Sequence, residues 1–317
     1  MFSVLINTYN RATKLATTLR AVESQDTDCE EFETIVVDDG STDSTHTFLK
    51  KWRIESEKRL TVRHPSNRGP SAARNSAIRA ASGDTLIFLG DDTVPKEGFL
   101  KSHIAFQRGA ESAKQVAVGY TCWAKHLHQT PFLTYINEFG PQFGYELLRR
   151  GMTMDWRFVY TSNLSIRRSF IDALPDLFDE DFTTAALEDI DLGYRLHQAG
   201  ATFVFLDNAV ASHDHPTDLI TFCRRQRSVG SALPQLLSKH PELKPRYTPR
   251  LHHRLAATAW SAMRTPPLQV LNWWDGRLRL PLPRFVYQAV CGLAMVQGFK
   301  NSQNSLYSKE ARGELLS

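Results

Sequence analysis

Four times in the first ninety residues a short apolar run stops at a polar turn, and helical patterns fill the gaps between. Ser3–Ile6 ends in Asn7-Thr8-Tyr9-Asn10, and Phe32–Val37 ends in Asp38-Asp39-Gly40-Ser41. Leu60–Val62 is a third run, and Thr85–Leu89 leads straight into Gly90-Asp91-Asp92. Leu15, Leu19 and Val22 recur at spacings of three and four, Phe48, Leu49 and Trp52 mark a second helix, and Pro70–Ala81 is alanine-rich and helical. Ser41 or Thr42 is expected to cap the helix that carries Phe48. Such alternation predicts an α/β fold, a Rossmann-like and mostly parallel central sheet with helices on both faces. Ligands gather at the carboxyl ends of such strands. Here two of those ends carry paired aspartates.

Val116–Tyr120, Phe158–Ile166 and Thr202–Leu206 read as further strands and Leu192–Ala199 as a helix, whereas aromatic-rich Pro131–Arg150 fits no element. Beyond Pro216 the pattern turns helical, broken at Pro241, Pro245, Pro249, Pro266, Pro267, Pro281 and Pro283. The expected division is therefore a domain over 1–216 and a mainly helical region over 217–317. Composition matters most at this boundary. Residues 221–300 hold thirteen Lys/Arg against two acids, Glu242 and Asp275, so they carry +11 in a chain of net charge +4 and leave −7 elsewhere. A basic C-terminal region of this kind faces an anionic partner or is simply a solvated helical face.

Cys29, Cys122, Cys223 and Cys291 show no paired spacing, which fits a reduced, cytoplasmic protein without a zinc site. Met1–Ile6 lacks a basic leader and is expected to be a first strand rather than a signal peptide. Phe285–Phe299 is too short and too polar to span a bilayer about 30 Å thick. Leu280–Phe299, flanked by Arg277, Arg279, Arg284 and Lys300, could still lie on an anionic leaflet, so peripheral placement at the inner face of the membrane is expected.

Two adjacent carboxylates leaving a buried strand, Asp91 and Asp92, are costly unless a cation neutralises them. Such oxygen ligands suit Mg²⁺ or Mn²⁺, which share their coordination with substrate phosphates; the alternative is a solvated turn. Asp38 and Asp39 can accept hydrogen bonds from a base imide or from ribose hydroxyls, or serve only as a turn. Glu188 and Asp189 precede the apolar helix face Ile190, Leu192, Leu196. They either complement the helix dipole or supply a general base for an acceptor hydroxyl. His213 and His215 follow the last strand, and either could complete a metal site with Asp92.

Taken in order, these features resemble the family 2 glycosyltransferases with the GT-A fold, over about residues 3–215. The most specific matches are Val37–Asp43, Asn67-Arg68-Gly69 with Ala73-Arg74-Asn75, and Leu187–Gly193. The resemblance implies that Tyr9 packs on the nucleotide base, with Asn7 and Thr8 lining the same strand end. It implies that Asp39, or Asp38 beside it, reads the base, and that Arg68, Arg74 and Asn75 contact base and donor. Asp91 then contacts ribose, Asp92 holds the Mn²⁺ or Mg²⁺ ion, His213 holds that metal or the diphosphate, and Asp189 is the catalytic base with Glu188 at its side. Many members carry an acid where this chain has Gly90, so the adjacent pair Asp91-Asp92 replaces a spaced Asp-x-Asp.

The implied reaction is a single inverting displacement from a nucleotide-diphosphate sugar, UDP-sugar favoured, onto a hydroxyl of a glycan, lipid-linked or protein acceptor. Surface glycan or glycoconjugate synthesis is the expected setting. Arg224, Arg225 and Arg227, with Gly230, could close over the diphosphate as a flexible lid. The Gln-x-x-Arg-Trp pattern of the processive members is missing after Gln226-Arg227, which favours single addition. Trp123, Trp156, Phe158 and Tyr160 are candidates for the acceptor side. A different class of reading is a non-catalytic lipid- or nucleic-acid-binding protein built on the basic region with Trp260, Trp273 and Trp274; acidic strand ends argue against nucleic acid. A nucleotidyltransferase or dinucleotide dehydrogenase would want a glycine-rich phosphate loop after the first strand, and none is present.

Overall fold

The computed structural model describes residues 1–27, 31–140, 142–149, 151–174, 177–262 and 267–310. Cys29, Pro266 and the side chain of Trp260 fall outside that description. The elements run β1 (Phe2–Thr8), α1 (Ala12–Glu23), β2 (Phe32–Asp38), α2 (Thr45–Ile54), β3 (Arg59–Arg63), α3 (Pro70–Ala80), β4 (Thr85–Gly90), β5 (Thr93–Pro95) and α4 (Phe99–Gly109). β6 (Gln115–Trp123), α5 (Pro131–Thr134), β7 (Thr153–Met154), β8 (Asn163–Arg167), α6 (Arg168–Ile171), α7 (Glu188–Gln198) and β9 (Thr202–His213) follow. The C-terminal helices are α8 (Leu219–Lys239), α9 (Lys244–Tyr247), α10 (Leu251–Ala262), α11 (Pro267–Trp273) and α12 (Arg284–Glu310).

The chain forms two compact units, residues 1–127 with 137–215, and residues 128–136 with 216–317. In the first, the strands order as β3-β2-β1-β4-β8-β6-β9-β5, with β7 against β9. β3, β2, β1 and β4 are parallel, as are β6 and β9, whereas β8 runs antiparallel to both β4 and β6. Alternation along each strand divides the core. Val4, Ile6, Val36, Ile87 and Leu89 face Leu15 and Leu19 of α1, Leu49 and Trp52 of α2, and Phe99 and Ile104 of α4, all fully or nearly buried. α3 packs on β1 and β2 through Ala72, Ala73 and Ala77, small residues that let helix and sheet approach closely. Each of these large aliphatic side chains contributes roughly 1.5–3 kcal/mol by leaving water.

Several expectations need correction. Neither Ser41 nor Thr42 caps α2; the N-cap is Ser44, and Asp43 accepts from the Thr45 N–H at 2.9 Å. Phe158–Ile166 is not one strand, because Trp156–Phe158 is a 3₁₀ turn and β8 begins only at Asn163. α7 begins earlier than its apolar face suggested, at Glu188, and β9 extends to His213, which places that histidine on a strand. Part of Pro131–Arg150 forms α5, a π turn over Tyr135–Phe139 and a 3₁₀ turn over Tyr145–Leu147.

In the second unit α8 and α12 cross so closely that two glycines are required. A Cβ at Gly230 would stand 1.8 Å from the Met295 carbonyl oxygen, and one at Gly298 would stand 2.0 Å from that of Arg227. Gly230 is thus a packing residue within a 21-residue helix, and Arg224, Arg225 and Arg227 ride on that helix instead of on a flexible lid. The apolar face of α12, with Tyr287, Val290, Cys291, Ala294 and Phe299, is buried, so Leu280–Phe299 as a whole does not lie open to a leaflet. Gly230→Val should overpack this crossing and lower stability by roughly 1–3 kcal/mol. Chemical denaturation followed by tryptophan fluorescence would read this, and an unchanged midpoint would deny the crossing. Cys122, Cys223 and Cys291 are free thiols, and no described helix is long and apolar enough to cross a membrane.

Candidate active site

Strand register sets the site. Thr8 pairs with Asp38 across β1 and β2, and Asn7 pairs with Gly90 across β1 and β4, so three parallel strands end at one edge. Asn7 is half-buried there, and the next residue after Thr8, Tyr9, keeps 42% of its surface exposed at the sheet edge. Asn10 takes a left-handed backbone (φ 54°), and its Oδ1 accepts from the N–H groups of Thr42 and Asp43 at 2.7 and 3.2 Å. That bond ties the turn after β1 to the turn after β2.

Asp38 and Asp39 are both buried but differ in their partners. Asp38 accepts from the Ser41 N–H at 2.8 Å, with Arg63 at 3.6 Å and His46 at 3.8 Å, which makes it an organiser of its own turn. Asp39 accepts from His64 Nδ1 at 2.6 Å and from the Arg68 and Gly69 N–H groups at 3.0 and 2.9 Å. His64 Nε2 in turn meets Ser76 Oγ at 2.9 Å, so the imidazole is held on both sides. The three groups lie in hydrogen-bonded sequence like a hydrolytic triad, but Ser76 is buried and also accepts from Arg79. Their effect is to fix the Asp39 carboxylate. Gly69 is obligatory in this loop: its φ is +89°, and a Cβ would lie 2.3 Å from the Thr183 carbonyl oxygen.

Asp91 and Asp92 are only 7% and 6% exposed. Asp91 accepts from Thr8 Oγ1 at 2.7 Å, and Arg11 Nη1 bridges the pair, 3.0 Å from Asp91 and 2.6 Å from Asp92. Asp92 also stands 3.4 Å from His213 Nε2 and 3.1 Å from His215 Nδ1. The pairing of Thr93 with His213 across β5 and β9 brings these groups together. His213 stacks on Trp123 at 5.2 Å and on His215 at 5.4 Å, which fixes the plane of its ring. Burial and the neighbouring Asp92 charge push the Asp91 carboxyl up to about 6 against the pull of Arg11. Burial would also raise Asp92, but hydrogen bonds from His213 and His215, together with the charges of His213 and Arg11, hold that carboxyl well below its usual range. Asp92, His213 and His215 each offer a ligand atom, all within 4.8 Å of one another. A Cβ at Gly90 would lie 2.6 Å from Thr93 Oγ1, so a side chain at this position would require that hydroxyl to move.

A second group of charges gathers at the start of α7. Leu187 precedes the helix with φ 71°, a conformation costly for a branched side chain. Glu188 is buried and accepts from Arg74 Nη1 at 3.0 Å; burial and the adjacent Asp189 raise its pKa, and Arg74 offsets part of that rise. Asp189 is more open, its side chain 26% exposed, and accepts from the Thr161 hydroxyl at 2.7 Å and the Thr161 N–H at 3.2 Å. Arg74 is 3.7 Å from it. Thr161 lies just before β8, and the neighbouring Ser162 carbonyl accepts from the Gly90 N–H at 3.2 Å, so β8 links this group to the acidic end of β4.

The remaining expected residues divide. Asn75 is occupied structurally, bonding Phe178 through both ends of its amide and Glu180 at 3.1 Å. Arg68 pairs with Glu180 at 2.8 Å on the surface. Arg225 belongs to the second unit, exposed on α8. Trp156 packs against Tyr194 at 5.1 Å, a core contact, whereas Trp123 faces His213. Arg11, His64 and Thr161 were not singled out from the sequence; only their positions beside strand ends could have marked them. A cleft of about 610 Å³ opens at the opposite, amino-terminal edge of the strands, but Arg167 and Arg168 there are engaged by backbone carbonyls.

The model of the family described as glycosyl transferase family 2 matches residues 3–174. An uncharacterised glycosyltransferase of Bacillus subtilis, YfnE, is 28% identical over 76% of this chain and 71% of its own length. Validoxylamine A glucosyltransferase of Streptomyces hygroscopicus is 32% identical over 63% of this chain, which spans only 52% of that relative. Among solved structures, a mannosyltransferase from Pyrobaculum calidifontis in complex with GDP-mannose and Mn²⁺ superposes with a TM-score of 0.60 at 20% identity, covering 95% of this chain and 86% of that one. TarS of Staphylococcus aureus (residues 1–349), solved with UDP, gives 0.57 at 17% identity over 97% and 91%. These likenesses carry the GT-A fold.

Proposed function

The chain belongs to glycosyl transferase family 2 and is a nucleotide-sugar-dependent glycosyltransferase, and from that premise we propose an inverting, single-addition enzyme that moves a sugar from a UDP-sugar to an acceptor hydroxyl. The cluster of Asp92, His213 and His215 carries this reading, because it offers one carboxylate and two imidazoles beside the carboxyl end of a parallel strand, where ligands gather in such sheets. This donor set fits a divalent ion, and two nitrogen ligands favour Mn²⁺ over the oxygen-loving Mg²⁺. When bound there, the ion neutralises charge on the nucleoside diphosphate leaving group.

The chain's own residues do the rest. Asp39, with three donors already on its two oxygens, keeps acceptor capacity for the imide N–H of a uracil. Tyr9 supplies an open ring for the base, and Asp91, held by Thr8 and Arg11, accepts from ribose. Asp189 takes the proton of the acceptor hydroxyl as it attacks the anomeric carbon from the face opposite the leaving group. Glu188 is the positioning acid that keeps Arg74 beside it. We assign catalysis to residues 1–216 and an accessory role to 217–317. The acceptor is a glycan, lipid-linked or protein hydroxyl in surface glycan or glycoconjugate synthesis, reached by a cytoplasmic protein peripheral at the inner face of the membrane.

Calorimetric titration with UDP and GDP, each with and without Mn²⁺, tests the donor assignment. Tight binding of UDP only with Mn²⁺ is expected, and tighter binding of GDP would overturn the choice of base. NMR of the product then reads the anomeric configuration, and retention would sink the single displacement. Arg11 occupies the acidic pair as a resident cation. Arg11→Met should therefore strengthen Mn²⁺ binding in the absence of nucleotide by roughly tenfold. Equal or weaker binding, read by Mn²⁺ electron paramagnetic resonance, would show that guanidinium and ion do not compete.

A further inference from the structure

Between α11 and α12 the chain makes a π-helical turn over Trp274–Leu278 and a short connection whose chemistry the donor site does not use. Asp275 is the only acid among residues 243–309, and it is turned inward, 3% exposed. Its Oδ1 accepts from the Phe132 N–H at 2.9 Å and the Tyr287 hydroxyl at 2.6 Å. His128 grips the turn from a second side, donating from Nε2 to the Gly276 carbonyl at 3.1 Å and accepting from Arg279 at Nδ1 at 2.9 Å. Arg279 holds a left-handed backbone (φ 54°), so the anchors fix a shape the sequence alone would not choose.

What this fixed turn presents outward is apolar and basic. Trp273, Leu278, Leu280 and Phe285 keep 57%, 41%, 52% and 70% of their surface exposed, and Arg277 and Arg279 are exposed between them. Pro281 and Pro283 lack N–H groups, which removes donors that would otherwise need partners on leaving water. Aliphatic and indole side chains alternating with arginines match a headgroup layer, where tryptophan settles at the boundary and guanidinium meets phosphate. A second copy of this chain fits poorly, because a basic face that meets itself repels. A nucleic acid would leave Leu278 and Leu280 without use, since they cannot stack on bases.

We propose that the turn Trp273–Phe285 docks the protein on the surface of an anionic phospholipid bilayer, with Trp273, Leu278, Leu280 and Phe285 entering the headgroup layer and Arg277 and Arg279 pairing with lipid phosphates. This rests on the peripheral placement proposed above and on nothing in the donor site. The full chain should float with phosphatidylglycerol-containing vesicles, not with pure phosphatidylcholine, and less at high salt. Arg277→Gln with Arg279→Gln should weaken partitioning roughly thirtyfold. Trp273→Ser with Leu280→Ser should weaken it as well and reduce quenching of tryptophan by brominated lipid, and UDP binding should be unchanged in both variants. Flotation that survives both pairs of substitutions would leave the peripheral placement standing and overturn the turn. No flotation of the parent chain would overturn both, and neither result touches the donor assignment. A concentration-dependent dimer lost in the Trp273→Ser variant would give the face to a second copy instead.

Discussion

Asp189→Asn is expected to lower kcat by about 10²–10⁴ while UDP binding stays unchanged, because the loss is that of a general base and not of a donor contact. The substitution keeps the shape of the side chain and an oxygen for the Thr161 hydroxyl, now 2.7 Å away, and removes only the charge and basicity. Glu188→Gln separates the two acids at this helix start. Glu188 is buried against Arg74, so its amide should cost stability and some kcat through the position of Arg74. Single-turnover kinetics with a fixed acceptor would read both. Near-parental activity in Asp189→Asn with collapse in Glu188→Gln would exchange the two assignments.

Asp92→Asn should remove the metal-dependent part of nucleotide binding and lower kcat/KM on the order of 10³, since a bound cation supplies several kcal/mol of charge stabilisation. Asp91→Asn should be milder. Asp91 is already bonded to Thr8 and Arg11 and has its carboxyl raised by burial, whereas Asp92 is the acid that faces both histidines. His215→Ala should fall between, because it removes one imidazole and leaves the carboxylate. Calorimetry with and without Mn²⁺ measures each, and full Mn²⁺ enhancement in Asp92→Asn would place the ion elsewhere.

How much of this was legible beforehand varies by residue. Asp39, Asp91 and Asp92 stood out because acids at the ends of apolar runs are conspicuous in a linear chain, and Asp189 because an acidic pair precedes an apolar helix face. Their partners were not. Arg11 meets Asp91 across eighty positions and Thr161 meets Asp189 across twenty-eight, and neither separation leaves a periodic trace. Asn75, placed at base and donor by the resemblance, and Arg225, offered as a diphosphate contact, stand against Phe178 and on a long helix, surroundings that local spacing does not announce. The π turn and 3₁₀ turns of Pro131–Arg150 left no hydrophobic period to read.

By itself the sequence determined the parallel βα frame of the first ninety residues. There each strand and helix is written in local spacing, and the acids follow from where apolar runs stop. Only the tertiary structure decided that β8 enters antiparallel between β4 and β6, and that β5 pairs with the far end of β9. Those pairings join residues far apart in the chain, and a strand's hydrophobic pattern does not say which neighbour it will find. They bring Thr161 to Asp189 and His213 and His215 to Asp92. The same holds for Asp275, an acid whose inward turn on Tyr287 leaves a basic, apolar face outside.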